Sequence, residues 1–211
     1  MSEYRDFFQD FPSRSVDLLN SFYENASNID REVTLSIAMS YGALLFPFER
    51  LRTTSKTPHP TNDCSNNAKH AENFKNQMEK RFCDFRPRNP FVSWDWYYGK
   101  QMVDLGDVKR AANEATKMLI SKEKKVSSII KLIRNSLAHS NILTFESPIE
   151  WIVFYSCKPP REDEQVIYPI EIEFLRTSPI LFKNFLIDWV QFLQINPLSL
   201  EDYRELIENA E

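Results

Sequence analysis

The sequence predicts a mainly α fold, a helical bundle interrupted by one β-hairpin, and three observations carry that prediction. Segments with apolar residues at helical spacing, joined by loops, make up a helical core over about residues 14–140 and again over 178–210. Between them, over residues 149–175, the period drops to two. The 211 residues hold no internal repeat and no low-complexity tract, and 42% of them are hydrophobic, enough to bury a sizeable core. One domain over residues 1–211 is the economical architecture.

Taken in order, Ser15 can cap a helix through about Ala26, with Val16, Leu19 and Phe22 at helical spacing. Asp30 can cap a second, longer helix through Thr34–Leu45, ended or kinked near Pro47 and resumed by Glu49-Arg50-Leu51. Thr53 to Asn67 reads as a loop, rich in Ser, Thr, Pro and Asn without an apolar period, and a polar helix is expected from Asn67 to Arg81. Phe82 to Gly99 reads first as a long loop pinned to the core by Phe85, Phe91, Trp94, Trp96, Tyr97 and Tyr98. Arg86 and Arg88 interleave with those rings, so a contact with single-stranded nucleic acid is its second reading. Helices follow over Asp107–Leu119 and from a Ser121 cap to about His139. Ile149, Trp151, Val153 and Tyr155, then Val166, Tyr168, Ile170, Ile172 and Phe174, give the two arms of the hairpin, with Lys158–Gln165 at its tip. Ser178-Pro179 opens an amphipathic helix through about Leu193, and Pro197 separates a short acidic helix starting near Ser199.

The net charge of −4 would by itself argue against a nucleic-acid partner, but the charge is unevenly spread. Asp107 to Arg134 carries eight Lys or Arg against three Asp or Glu, whereas Ile195 to Glu211 carries five acids against Arg204 alone. Attraction decays over roughly 10 Å at ordinary salt, so a local basic stretch can hold phosphate on an acidic chain. A solvated helix face is the plainer account of such a run. Cys64, Cys83 and Cys157 stand far apart and form no Cys-x-x-Cys pair, which points to a reducing compartment and away from a disulfide framework or zinc ribbon. His59, His70 and His139 are not spaced as a metal set, and no Gly-rich phosphate loop occurs, so neither a metal nor another cofactor is expected. Glu3, Asp6 and Asp10 argue against a signal peptide. Leu35–Phe48, the longest weakly charged stretch, is too short to span a bilayer and contains Pro47, so a cytoplasmic chain without a membrane partner is expected.

The chemistry is expected on the helix that ends at His139. On a wheel of about 100° per residue, Val126, Ile129, Ile130, Ile133 and Leu137 fall on one seam. Measured from Val126, Arg134 lies at about 80°, Lys131 at about 140°, Asn135 at about 180° and His139 at about 220°. Asn135 and His139 are thus i, i+4 neighbours turned away from the core, with Arg134 at the edge of their face. A lone histidine is most often a satisfied core residue, but the core side of this helix is already apolar. The other plain reading is two polar surface residues near a helix end.

The segment Ile133-Arg134-Asn135-Ser136-Leu137-Ala138-His139-Ser140-Asn141-Ile142 resembles the signature helix of the HEPN superfamily (higher eukaryotes and prokaryotes nucleotide-binding): Arg, a polar residue, a few variable positions, then His. The following hairpin with Trp151-Ile152-Val153-Phe154, and the helical first half with Pro47-Phe48-Glu49-Arg50-Leu51, are similar to small stand-alone prokaryotic members. The resemblance implies a HEPN-like bundle with the hairpin inserted after the motif helix. It implies a metal-independent endoribonuclease of toxin or anti-phage defence type, acting on RNA as a homodimer in which two Arg/His sets meet. His139 would handle protons, Arg134 would hold the phosphate, and Asn135 would orient His139 or bond a phosphate oxygen. Lys131, Arg86, Arg88 and Asn141 are candidate RNA contacts, and an antitoxin or defence-system protein is a candidate partner. In toxin-type members paired with a nucleotidyltransferase antitoxin a Tyr stands two positions after the His; here that position is Asn141, which puts such control in doubt. Two other readings stay open: a non-catalytic RNA-binding or protein-interaction module, and a helical dimerisation scaffold.

Overall fold

A computed structural model describes residues 7–48, 78–82, 96–115, 124–157 and 169–195. The first helix, α1 (Phe7–Ser27), starts before Ser15. Ser15 is therefore an interior residue, its hydroxyl donating to the Phe11 carbonyl at 2.9 Å, and does not cap the helix. Val16 and Leu19 are buried as expected, but Phe22 is 52% exposed. It lies about 90° from the middle of their seam, and Tyr23, one position on, packs there instead. The second helix, α2 (Glu32–Ser40), is capped at Arg31 without a side-chain hydrogen bond. Asp30 sits one position too early, at φ 54°, in the turn between the helices.

The expected disturbance near Pro47 takes the form of a π-helical turn over Tyr41–Leu45, after which Phe46–Phe48 are helical again. The Phe46 N–H reaches back five residues to the Tyr41 carbonyl, and Pro47 has no N–H to continue the ladder. Glu49-Arg50-Leu51, the loop at 53–67 and most of the 67–81 helix lie outside the described residues.

Where one hairpin is expected, the structure has a four-stranded antiparallel sheet of order β1-β4-β3-β2. The strands are β1 (Tyr97–Val103), β2 (Ile142–Phe145), β3 (Trp151–Cys157) and β4 (Ile170–Thr177). The hairpin is real: β3 pairs β4 with Tyr155 opposite Phe174. The correction is that β1 and β2 extend it on either side. Both were hidden for local reasons. β2 is only four residues long, and β1 begins inside the aromatic stretch read as a loop. Tyr97 and Tyr98, assigned to that loop, are strand residues opposite Arg176 and Leu175. The tip at 158–165, together with Val166 and Tyr168 of the second arm, lies outside the described residues.

The two faces of the sheet bury different partners. Ile152, Phe154 and Leu175 face the main core, shared with α1, α2, α4 (Val126–Ala138) and α5 (Pro179–Ile195). Phe182 of α5 meets Phe154 at 5.0 Å between ring centroids. On the other face Val103, Val153, Ile172 and Phe174 pack with Ala111 and Ala112 of α3 (Val108–Ala115). Being covered on both sides, the centre of β3 buries Ile152, Val153 and Phe154 consecutively, so the expected in-out alternation does not appear in its burial. No helix among the described residues is long and apolar enough to cross a membrane.

Candidate functional site

The motif helix α4 begins at Val126 with Lys125 as its N-cap, four residues after the expected Ser121 cap, which lies outside the described residues. The apolar seam is as the wheel requires: Val126, Ile129, Ile130 and Ile133 are 0% exposed and Leu137 1%. Leu132 and Ser136 are buried as well, so the inward face is wider than the seam. Full burial of a Leu or Ile side chain is worth roughly 1.5–3 kcal/mol, which fixes the rotation of α4 and sends Arg134, Asn135 and His139 outward.

The C-terminal end of α4 is built in detail. Ser140 adopts the left-handed conformation, φ 56°. The Asn141 N–H bonds the Ser136 carbonyl at 2.8 Å and the Ser140 N–H the Leu137 carbonyl at 3.4 Å, a Schellman termination with His139 as the C-cap. The buried Ser136 hydroxyl lies 2.8 Å from the carbonyls of Leu132 and Tyr155, tying the helix to β3. The Tyr155 N–H donates to the Asn141 carbonyl at 3.1 Å, so the chain leaves the helix directly against that strand. The Tyr41 hydroxyl, from the π-helical turn, donates to the Leu137 carbonyl at 2.9 Å.

The expected site residues fall around this terminus. His139 is exposed, and its N–H donates to the Asn135 carbonyl at 3.0 Å. Arg134 and Asn135 are half-buried, and Arg134 Nη1 donates to Asn135 Oδ1 at 3.0 Å. Asn135 is thereby brought to the guanidinium, and it meets His139 through the backbone. Lys131 is exposed one turn before Asn135, and Asn141 is half-buried in the Schellman turn. Arg86 and Arg88 lie outside the described residues. Chemically, the helix end offers a planar cation, an amide and an imidazole, groups suited to an anionic ligand and to proton transfer.

At the opposite end of α4 charged side chains join a main-chain bond. The Val126 N–H donates to the Lys80 carbonyl at 2.9 Å and the Lys125 ammonium pairs with Glu79. Lys124 Nζ donates to the Tyr98 hydroxyl at 3.0 Å and lies 4.3 Å from the centre of its ring. Tyr98 in turn donates to Glu173 at 3.0 Å, and Lys100 bridges Glu171 and Glu173. Burial, helped by the charge of Glu173, pushes the Tyr98 phenol above its ordinary range. Burial also lifts the Glu173 carboxyl, but the hydrogen bonds from Lys100 and Tyr98 outweigh it and hold the group low. A separate cavity of about 160 Å³ between β1 and α3, lined by Asp104, Asp107, Arg110 and Glu114 among others, contains none of the motif residues. Among the described residues no group of three or more His, Cys, Asp or Glu is placed to hold a metal ion.

Two residues that shape the helix end were missed by sequence reasoning. Ser136 lies inside the motif, and its position about 80° from Val126 on the core side could have marked it as a buried tie. Tyr41 had no local signal, because its partner is 96 positions away.

A family model described as HEPN pEK499 p136 matches residues 1–195 of the chain. No curated protein and no solved structure matches it.

Proposed function

The chain belongs to the HEPN family described as HEPN pEK499 p136, and from that premise we propose that it is a metal-independent endoribonuclease of toxin or anti-phage defence type. The observation that carries this reading is the outward presentation of Arg134, Asn135 and His139 at one helix end whose inward face is wholly buried. In the proposed active form two copies pair so that their α4 termini share one cleft. An RNA phosphate sits against the Arg134 guanidinium, which Asn135 holds by its side-chain oxygen. The imidazole of one His139 takes the proton of a ribose 2′-hydroxyl as that oxygen bonds to the phosphorus. The bond from phosphorus to the 5′-oxygen breaks, and the leaving oxygen takes a proton from the second copy's His139, which acts as an imidazolium. The products are a 2′,3′-cyclic phosphate and a 5′-hydroxyl. Arg134 neutralises the charge growing on the phosphoryl oxygens. Lys131, one turn earlier on the outward side, adds a backbone contact that weakens with salt. Arg86, Arg88 and Asn141 remain proposed RNA contacts, and an antitoxin or defence-system protein a proposed partner.

The test is cleavage of RNA by the purified full chain in the presence of a chelator, beside His139→Ala and Arg134→Ala. Wild type should cut, each variant should lose roughly 100-fold or more in rate, and the 3′ ends should carry cyclic phosphate. Equal cleavage by all three, or by none, rejects the assignment. RNA binding without product would favour the non-catalytic module instead.

A further inference from the structure

The C-terminal turn of α4 has one anchor that the proposed chemistry does not use. Leu137 lies between Arg134 and His139, and its carbonyl is an acceptor of the Schellman termination, with the Ser140 N–H at a long 3.4 Å. The shorter bond to that carbonyl, 2.9 Å, comes from the Tyr41 hydroxyl. Whatever fixes this carbonyl fixes the start of the segment that carries His139 as C-cap.

Tyr41 is itself placed by an unusual local structure. It opens the π-helical turn, its own carbonyl accepting from the Phe46 N–H five residues on. Turns of this kind cluster at functional sites. The next residue is Gly42, where a Cβ would collide with Ser15 Oγ and come within 3.0 Å of the Phe11 ring. The backbone of the turn thus lies close against Ser15 and Phe11 of α1, and any larger residue would require those side chains to shift. A connected path runs from α1 through Gly42 to Tyr41, across its hydroxyl to Leu137, and from there to His139. Tyr41 is also 37% exposed, so its ring is placed at the surface beside the helix end and not locked within the core.

We propose that Tyr41 is a positioning residue of the Arg134/His139 site: its hydroxyl fixes the last turn of α4 and so the placement of the His139 imidazole relative to the Arg134 guanidinium. This rests on the ribonuclease reading above. The side chain does not meet the reacting atoms; it acts through the Leu137 carbonyl.

Tyr41→Phe in the full chain removes the hydroxyl and keeps the ring. Two measurements follow. In the free protein, the Asn141 and Ser140 amides should exchange about tenfold faster, and the His139 ring resonances should shift. In the cleavage assay, kcat should fall about tenfold while KM stays within about twofold, because orientation and not RNA affinity is lost. Unchanged exchange and unchanged His139 resonances overturn the proposal whatever the activity. A fall in kcat that merely follows the folded fraction, read by thermal unfolding at the assay temperature, overturns it as well. The failures are distinguishable. Wild-type kcat in Tyr41→Phe beside an inactive His139→Ala overturns the Tyr41 role alone. A His139→Ala protein that cleaves like wild type overturns the ribonuclease reading and the Tyr41 role with it.

Discussion

Both ends of α4 are met by a tyrosine hydroxyl, and the two are used differently. At the start, Tyr98 stands within a charged network: Lys124 donates to it, it donates to Glu173, and Lys100 bridges Glu173 to Glu171. At the finish, Tyr41 donates to a backbone carbonyl, and the other anchors named there are the Ser136 hydroxyl and the main-chain bonds of the Schellman turn. Among these contacts, charged side chains join the main-chain bonds at the end away from the motif, and hydroxyls join them at the end that presents it. Carbonyls and hydroxyls secure a backbone without placing a further full charge beside it.

The comparison breaks first at Ser136, where the neutral end has most to lose. Its hydroxyl is fully buried between the Leu132 and Tyr155 carbonyls. Ser136→Ala should destabilise the protein by about 1–3 kcal/mol, because a buried carbonyl loses its partner. Urea unfolding that shows no change would mean that packing alone docks α4 on β3. At the charged end, Tyr98→Phe should cost about 1 kcal/mol, held down because the neighbouring ion pairs are partly exposed to water. Its pH signature is the sharper measure. The folded state holds the Tyr98 proton above the free-tyrosine value of 10.0, so its contribution is full below that pH and is lost as pH climbs through the folded value. Wild type should lose stability in alkali more steeply than Tyr98→Phe, and parallel profiles would remove Tyr98 from the anchoring network.

These anchors also mark where the sequence stopped being legible. The seam from Val126 to Leu137 was readable because a helix buries residues at a fixed period, and the structure buries every one of the five named. The hairpin was readable from its period of two. The remaining strands were not, since β2 is too short to show a period and β1 places Tyr97 and Tyr98 opposite residues 77 or more positions away. Helix starts failed for a related reason. Ser15 and Asp30 have the right chemistry for a cap, but α1 begins earlier and α2 begins after Arg31 with backbone bonds alone. Arg134, Asn135 and His139 were found by motif and wheel, while Tyr41 depends on a contact that only the assembled bundle creates.

A smaller effect of opposite sign is expected at Ser140. A non-glycine residue at φ 56° carries a steric cost, and the C′ position of this termination is where helices commonly place glycine. Ser140→Gly should therefore stabilise the protein by about 0.5 kcal/mol, the relief of strain being partly offset by a more flexible unfolded chain. A loss of stability would show that the serine side chain makes a compensating contact.

The smallest stability effect is expected at the residue with the largest proposed role. His139 is exposed, and its N–H bond to the Asn135 carbonyl belongs to the backbone, so alanine preserves it. His139→Ala should change unfolding free energy by no more than about 0.5 kcal/mol. If RNA cleavage falls by roughly 100-fold in the same protein, the outer surface of α4 serves chemistry and contributes almost nothing to folding. A stability loss comparable to that of Ser136→Ala would mean that the imidazole is an anchor of the helix end. The contrast between a charged structural end and a neutral, ligand-facing end would then collapse, because His139 would be holding the fold that it was proposed only to decorate.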